Sequence, residues 1–227
     1  MKMIPTFLAL ATLAAPIASQ ATEEPVVVEL FTSQGCSSCP PADAVLTDFA
    51  NHRTDVLALA FHVTYWDYLG WKDPYGLPAS TARQRNYAKV LHGDGIYTPQ
   101  MVVDGQQAFV GSDRRRALAA IQAAPRKTIP LHVAKDASGL SIAIGDGAGP
   151  AQVLLVGYDA AHETPIGRGE NGGRTLLESN VVRSLTPLGE WSGGSLMLKA
   201  PMPAGERVAV LLQQDTGRIV GAALLDE

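Results

Sequence analysis

Residues 25–43 read PVVVELFTSQGCSSCPPAD and decide the fold of the chain. The first half of this stretch is a run of β-branched and apolar residues, which is typical of a strand buried in a parallel sheet. A polar, turn-forming segment follows, and two prolines stand directly after Cys39, where the first turn of a helix tolerates them. From Ala42 onward, apolar residues recur at helical spacing. The stretch therefore predicts a strand, a tight loop and a helix, with Cys36 at or just before the helix N-terminus.

Cys36 and Cys39 are the two cysteines of the chain. A disulfide between residues three apart closes a very short loop and adds little stability, so a purely structural role for the pair is not favoured. A tetrahedral zinc site needs four ligands and the sequence offers no second cysteine pair, so we assign no metal ligands. A thiolate at a helix N-terminus is stabilised, which lowers the pKa of the thiol. The spacing therefore favours a redox-active dithiol in which Cys36 attacks and Cys39, one turn later, closes the disulfide.

Residues 1–21 have the pattern of a secretory signal peptide, with Lys2 near the start, a short apolar run and small residues before a cleavage site after Ala21. A buried helix or an uncleaved anchor is the alternative. No later apolar run is long enough to cross a bilayer, and a net charge of −4 does not favour nucleic acid or anionic lipid. We therefore expect a periplasmic or secreted protein with no integral membrane span after signal removal and no nucleic-acid partner.

The chain continues to residue 124 as a series of apolar runs and helical patterns. A second buried strand is predicted over residues 55–63, and helices are predicted over residues 80–91 and 112–124. Between the helices, two short apolar runs flank Asp104-Gly105, which is a hairpin signal. The predicted order of elements is therefore β-α-β-α-β-β-α.

This order resembles the thioredoxin superfamily over residues 25–124, because a Cys-x-x-Cys begins the first helix and Thr98-Pro99 precedes the third strand. The resemblance implies a cis Pro99 beside the cysteines. It also implies that the Thr98 backbone binds a substrate segment by strand addition. In the superfamily a buried acid of the first strand often accepts a proton from the second cysteine, and Glu29 matches that position. The resemblance therefore implies catalytic roles for Thr98, Pro99 and Glu29 beside the two cysteines.

A closer resemblance covers nearly the whole chain after residue 21. Residues 29–43, 97–105 and 167–174 are similar to a family of secreted thioredoxin-like proteins of unknown function. This resemblance implies export and a thioredoxin-like fold for the first half of the chain, and it implies no substrate.

After residue 125 the pattern changes to short strands separated by Gly, Pro, Asp and Asn. About seven strands over roughly 100 residues favour an immunoglobulin-like β-sandwich. The predicted fold class is therefore an α/β thioredoxin-like fold followed by an all-β, immunoglobulin-like sandwich domain. The predicted division is a signal peptide over residues 1–21, a thioredoxin-like domain over 22–126 and a β-sandwich domain over 127–227. The alternative is a β extension that packs on the first domain and has no core of its own.

Polar and aromatic residues follow the carboxyl end of the second predicted strand. Ligands often bind at this edge of α/β sheets, so Trp66, Asp67 and Trp71 are candidates for substrate binding. The alternative is that these aromatic rings complete the core. His62 ends the same strand and is a candidate neighbour of the thiolate, although a structural role is the more common one for a single histidine.

Residues 167–174 read GRGENGGR and predict a long loop between two strands. The spacing matches a dinucleotide-binding motif, but that motif needs a strand before it and a helix after it, which the flanking residues do not predict. We expect this loop to lean over the cysteine pair, with Arg168, Glu170 and Arg174 in a substrate groove. A solvated turn is the alternative.

Together these patterns predict a periplasmic thiol–disulfide oxidoreductase that acts on a protein or small-molecule thiol or disulfide and needs no cofactor. Two alternatives remain open from the sequence. One is a copper chaperone that uses the two thiolates as soft ligands. The other is a redox-inert binding module that keeps the fold and the disulfide.

Overall fold

The computed structural model describes residues 24–225, which form the β-α-β-α-β-β-α series followed by seven further strands. The elements of the first half are β1 (Val26–Thr32), α1 (Pro40–His52), β2 (Val56–His62), α2 (Pro78–Val90), β3 (Gln100–Val103), β4 (Gln107–Val110) and α3 (Arg114–Ala123). Those of the second half are β5 (Leu131–Asp136), β6 (Gly139–Ile144), β7 (Ala151–Pro165), β8 (Thr175–Trp191), β9 (Leu196–Ala200), β10 (Arg207–Gln213) and β11 (Ile219–Leu224). The expected signal peptide lies outside the described residues.

Strands from both halves of the chain form one eight-stranded mixed sheet in the order β11-β10-β7-β8-β2-β1-β3-β4. β1 and β2 are parallel, and β8 joins the far side of β2 in parallel at Ala60 and Val181. A smaller sheet has the order β5-β6-β9. The predicted fold class, a thioredoxin-like α/β fold followed by an immunoglobulin-like sandwich domain, is therefore wrong. The strands β7, β8, β10 and β11 extend the sheet of β1 to β4 instead of building a sandwich of their own.

The cores explain why the two halves share a sheet. One apolar core covers a whole face of the large sheet and draws on both halves of the chain, from Val27 and Phe31 of β1 to Leu211 of β10. The opposite face is divided between two cores. Helices α1 and α3 cover the end formed by β1 to β4, and the small sheet covers the end formed by β7 and β10.

The large sheet curves so that its two ends meet. The N–H of Ile219 in β11 donates to the carbonyl of Asp104, which follows β3, at 2.9 Å. The Asp104 carboxylate accepts from the N–H of Val27 at 2.8 Å and pairs with the ammonium of Lys127 at 2.8 Å. These bonds join the linker after α3 to both ends of the sheet. None of the helices between residues 24 and 225 combines the length and the hydrophobicity needed to cross a bilayer.

The local sequence places the cysteine pair at the N-terminus of α1. Pro40 and Pro41 occupy the first two helical positions, where their missing N–H groups cost nothing. Side chains of β1 alternate between the two faces of the sheet. Val28 and Leu30 pack in the core beneath α1, so Thr32 also points to that face, whereas Glu29 points to the face covered by α2.

Candidate functional site

Cys36, in the loop after β1, and Cys39, the N-cap residue of α1, form a disulfide, with their Cα atoms 5.4 Å apart. The N–H of Cys39 donates to the carbonyl of Cys36 at 3.2 Å, which closes the turn. The two cysteines are 1% and 0% exposed, whereas Ser37 and Ser38 between them are exposed. The disulfide therefore lies directly beneath a surface turn.

The Thr98–Pro99 peptide bond is cis. Pro99 lies near the first turn of α1, because a Cβ atom placed on Gly111 would lie 3.3 Å from Pro99 Cβ and 3.1 Å from Ala42 Cβ. The structure therefore brings Thr98 and Pro99 close to the helix end that carries the cysteines.

Trp66 and Trp71 contact the segment just before the disulfide. The indole N–H of Trp66 donates to Thr98 Oγ1 at 2.7 Å, and Trp66 Cβ would lie 3.1 Å from a Cβ atom on Gly35. The indole N–H of Trp71 donates to Gln34 Oε1 at 2.9 Å. Both rings are partly buried, so each serves the packing of the loop and still has an exposed part.

The loop over residues 166–174 lies against the cysteine segment. The side-chain amide of Asn171 donates to the carbonyls of Gln34 and Cys36, each at 2.9 Å. Glu170 Oε2 accepts from the backbone N–H of Ser37 at 3.1 Å. The loop thus lies over the cysteine pair, and its role as a substrate groove stays a prediction.

The two arginines of this loop are exposed. Arg174 donates to Asn171 Oδ1 at 3.2 Å and so supports the residue that contacts the cysteine segment. Arg168 is placed at the same tip, with its backbone next to Gly172. Neither arginine bonds to the cysteines, and their predicted role in a substrate groove stays a prediction.

Glu29 belongs to a different cluster from the cysteines. Its carboxylate pairs with Arg83 of α2 at 2.6 Å and accepts a short hydrogen bond from the Tyr87 hydroxyl. Arg83 also donates to Gln213 of β10 at 2.8 Å. Because α1 packs on the opposite face of the sheet, this ion pair directs Glu29 away from the helix that carries Cys39.

Four ionisable side chains are buried together at the ends of the central strands, on the face that α1 covers. His62 Nδ1 lies 2.8 Å from Asp73 Oδ2, and His62 Nε2 lies 3.7 Å from Glu178 Oε1. Asp43, in the first turn of α1, accepts from Thr32 Oγ1 at 2.7 Å. His62 Nε2 and Glu178 Oε1 have no hydrogen-bond partner among residues 24–225. We refer to Asp43, His62, Asp73 and Glu178 as the buried charge cluster.

Burial and the mutual charges of the cluster shift the pKa values of its members. Burial opposes a charge on His62, but Asp73, Glu178 and Asp43 outweigh it and raise the pKa of His62 to about 9. Burial and the nearby Glu178 raise the pKa of Asp43 to about 7. Burial also raises the pKa of Glu178, while Asp73 keeps a lowered pKa because His62 outweighs the effect of its burial. At neutral pH His62 is therefore a buried cation held by carboxylates.

Gln34 connects the buried charge cluster to the cysteines. Its backbone N–H donates to Asp73 Oδ2 at 2.8 Å, and its side-chain amide donates to Glu178 Oε2 at 2.7 Å. Asp67 accepts from the N–H of Asp73 at 3.2 Å and so supports the cluster, and its substrate contact stays a prediction. Because Gln34 stands two residues before Cys36, the cluster helps to fix the path of the cysteine segment.

Comparison with known proteins places the chain in a family. Residues 27–213 match a family described as protein of unknown function (DUF1223). The chain belongs to this family. The expected membership of an uncharacterised family is thereby confirmed, whereas the expected thioredoxin likeness is not. No curated protein matches the chain.

Two solved structures are similar to this DUF1223 member. The crystal structure of protein AGR_C_4864 from Agrobacterium tumefaciens is 33% identical, with a TM-score of 0.78 over 90% of this chain and 96% of that one. HBP35 of Porphyromonas gingivalis is 13% identical, with a TM-score of 0.59 over 90% of this chain and 75% of that one. At that identity, the second likeness shows the fold alone.

Sequence reasoning missed most of the polar residues that surround the cysteine segment. The missed residues are Gln34, Asp43, Asp73, Asn171 and Glu178. The sequence offered one signal for a polar cluster, namely the polar residues Thr32 and His62 at the ends of β1 and β2. The parallel register pairs these two residues, and both lie on the face that α1 covers. The contacts of Asn171 and Glu178 join residues more than 130 positions apart, and no local pattern indicates them.

Proposed function

We propose that this DUF1223 member is a thiol–disulfide oxidoreductase in which Cys36 and Cys39 alternate between dithiol and disulfide. The observation that supports this most directly is a disulfide between two residues three positions apart, at the N-terminus of α1 and beneath an exposed turn. Such a bridge contributes little to stability, because the loop it closes is very short. The N-terminus of α1 can stabilise a thiolate that forms when the bridge opens.

The proposed reaction conserves thiols and electrons. In the reducing direction, the thiolate of Cys36 attacks one sulfur of a substrate disulfide; the substrate S–S bond breaks, and its other sulfur leaves as a thiolate. Cys39 then loses its proton to water and attacks Cys36. This re-forms the Cys36–Cys39 bond and releases the second substrate thiolate. Two electrons pass from the protein to the substrate, and the reverse sequence oxidises a substrate dithiol.

The surroundings of the turn support Cys36 as the sulfur that reacts with substrate. The sulfur of Cys36 lies 3.4 Å from the hydroxyl of the exposed Ser38, whereas Cys39 is the N-cap residue of α1. Thr98 and Pro99 lie near the same helix end, and we assign them to substrate contact. The substrate class is a protein or small-molecule thiol or disulfide. A lone disulfide of this kind persists in oxidising compartments, so we place the reaction in the periplasm or outside the cell.

A redox titration tests the proposal. Wild-type protein is mixed with a dithiol–disulfide buffer, and the fraction of reduced protein is followed by thiol labelling and mass. We expect rapid exchange, its loss in Cys36→Ser, and a trapped mixed disulfide on Cys36 in Cys39→Ala. Slow exchange with stoichiometric Cu(I) binding would instead support a copper chaperone. Absence of both activities would support a redox-inert module.

A further inference from the structure

The tip of the β7–β8 hairpin, residues 166–174, binds the backbone of the cysteine turn itself. The tip is a compact turn, since Ile166 donates to the carbonyl of Arg174 and Gly173 donates to the carbonyl of Ile166, both at 2.8 Å. From this turn, Asn171 donates to the carbonyl of Cys36, and Glu170 accepts from the N–H of Ser37. Two residues from a distant segment therefore contact the bridge-forming turn from its outer side.

Asn171 is placed as part of the site and not as a solvated loop residue. It is 1% exposed, although residues 167–170 and 172–175 around it are all exposed. Both of its amide protons are used, one on Gln34 and one on Cys36, and its oxygen accepts from Arg174. An amide this deeply buried must be paired, because a lost partner leaves a desolvated polar group.

Glu170 adds a charge beside the turn. Its carboxylate is exposed, and hydrogen bonds from Ser37 hold its pKa below the usual value, so it is ionised at neutral pH. Reduction of the bridge puts a negative thiolate on Cys36, the residue before Ser37. A carboxylate bonded to Ser37 repels that thiolate and also occupies a nearby N–H donor.

We infer that Glu170 and Asn171 are positioning residues that stabilise the disulfide form of the Cys36–Cys39 pair over the dithiol form, an inference that rests on the proposed function. The tip binds the carbonyl of Cys36 and the N–H of Ser37 in the conformation in which Cys36 is bonded to Cys39, and a reduced pair has no bond that requires this conformation. The hydrogen bonds of both residues favour the closed bridge, and the charge of Glu170 disfavours the thiolate. All three effects have the same sign.

The test measures the equilibrium between the protein and dithiothreitol. Reduction transfers two electrons to the protein, giving a Cys36 thiolate and a Cys39 thiol, while dithiothreitol becomes a cyclic disulfide and its second proton goes to the buffer. We expect Glu170→Gln to raise the equilibrium constant for reduction about two- to fivefold, and Asn171→Ala to raise it about two- to tenfold. Glu163→Gln is the matched control, because Glu163 is an exposed carboxylate on β7 of the same hairpin.

The outcomes separate this inference from the proposed function. Equilibrium constants equal to that of wild type in both variants, or shifted toward the disulfide, overturn the inference while exchange by wild type stands. Failure of wild type to exchange at all overturns the proposed function and this inference with it. Should Asn171→Ala fail to fold, Glu170→Gln decides alone, since Glu170 is exposed. A merely structural role for the tip would lower the unfolding free energy of the oxidised and reduced proteins equally and leave the constant unchanged.

Discussion

Raising the pH should remove a stabilising charge from the interior of this protein. The folded-state pKa of His62 is raised from 6.5 to about 9, chiefly because the carboxylates of Asp73 and Glu178 outweigh the effect of burial. A group whose pKa is raised on folding contributes its full stability below its unfolded pKa. That contribution is lost as the pH rises toward the folded value. The difference is worth about 3 kcal/mol, of which about 2 kcal/mol is lost above pH 7.5.

The other charged groups that face His62 determine the pH range of the measurement. They are Asp73, Glu178 and Asp43. The folded-state pKa of Asp43 is raised from 3.8 to about 7, so it also removes stability as the pH rises, but it does so below pH 7. A comparison between pH 7.5 and 9.5 therefore isolates His62 from Asp43.

The assay is denaturant unfolding of the oxidised protein at pH 7.5, 8.5 and 9.5, for wild type and His62→Gln. Between the lowest and highest pH, wild type should lose about 2 kcal/mol more than the variant, which has no imidazole to titrate. The variant should itself be less stable at pH 7.5 by about 3–5 kcal/mol, because it leaves buried carboxylates without a cation. Parallel pH profiles would refute the reasoning. Glu178→Gln should lie between the two profiles, and it supplies the answer if His62→Gln does not fold.

Two further substitutions test the packing and the assignment of roles around the site. Gly111→Ala should lower the free energy of unfolding in denaturant by about 1–3 kcal/mol, because the added Cβ would lie 2.6 Å from Leu30 Cδ1 beside Pro99. Gly194→Ala is the control and should change the free energy of unfolding little, because its added Cβ would have no atom within 4 Å. Equal losses in the two variants would contradict the contact at Gly111. Glu29→Gln should cost about 3–5 kcal/mol by leaving Arg83 unpaired, yet leave the pH dependence of disulfide exchange unchanged. A shifted pH–rate profile in Glu29→Gln would instead assign Glu29 to proton transfer with Cys39.

The order of helices and strands could be predicted from the sequence, because it depends on proline positions and on the spacing of apolar residues within each segment. The two prolines after Cys39 set the start of α1, and the apolar periods of 2 and 3.6 residues gave the order of strands and helices. The second helix begins at Pro78, two residues before the expected start, because proline fits the first helical turn. The expected order of elements is thus found in the structure, although the expected fold class is not.

The arrangement of strands was harder to predict, although one signal was present. Strand β10 is continuously buried from Val208 to Gln213, and β7 from Val153 to Tyr158, which is typical of strands covered on both faces. A sandwich strand alternates between buried and exposed residues, as β5 does. The continuous apolar runs of β7 and β10 were therefore evidence for a sheet covered on both faces, and against an immunoglobulin-like sandwich.

The orientation of Glu29 follows from the same two-residue period. Thr32 bonds to α1 from one face of β1, and Glu29, three positions earlier, must point to the other face. By contrast, Asn171 and Glu178 meet Gln34 only because the β7–β8 hairpin places β8 beside β2. Their contacts depend on sheet topology, which the sequence pattern did not specify.

Gln34 shows why the redox pair and the buried charge cluster form one site. It is fully buried, and its backbone and side-chain polar groups all bond to residues from other segments. Asp73 and Glu178 hold it from the interior, and Asn171 holds it from the surface. Each of these bonds satisfies a polar group that would otherwise be buried without a partner, so together they fix the backbone two residues before Cys36. A charge lost at His62 weakens the interior contacts through Asp73 and Glu178, and a side chain lost at the hairpin tip weakens the outer one. Both changes therefore act on the same short segment, at the point where the turn that contains the disulfide begins.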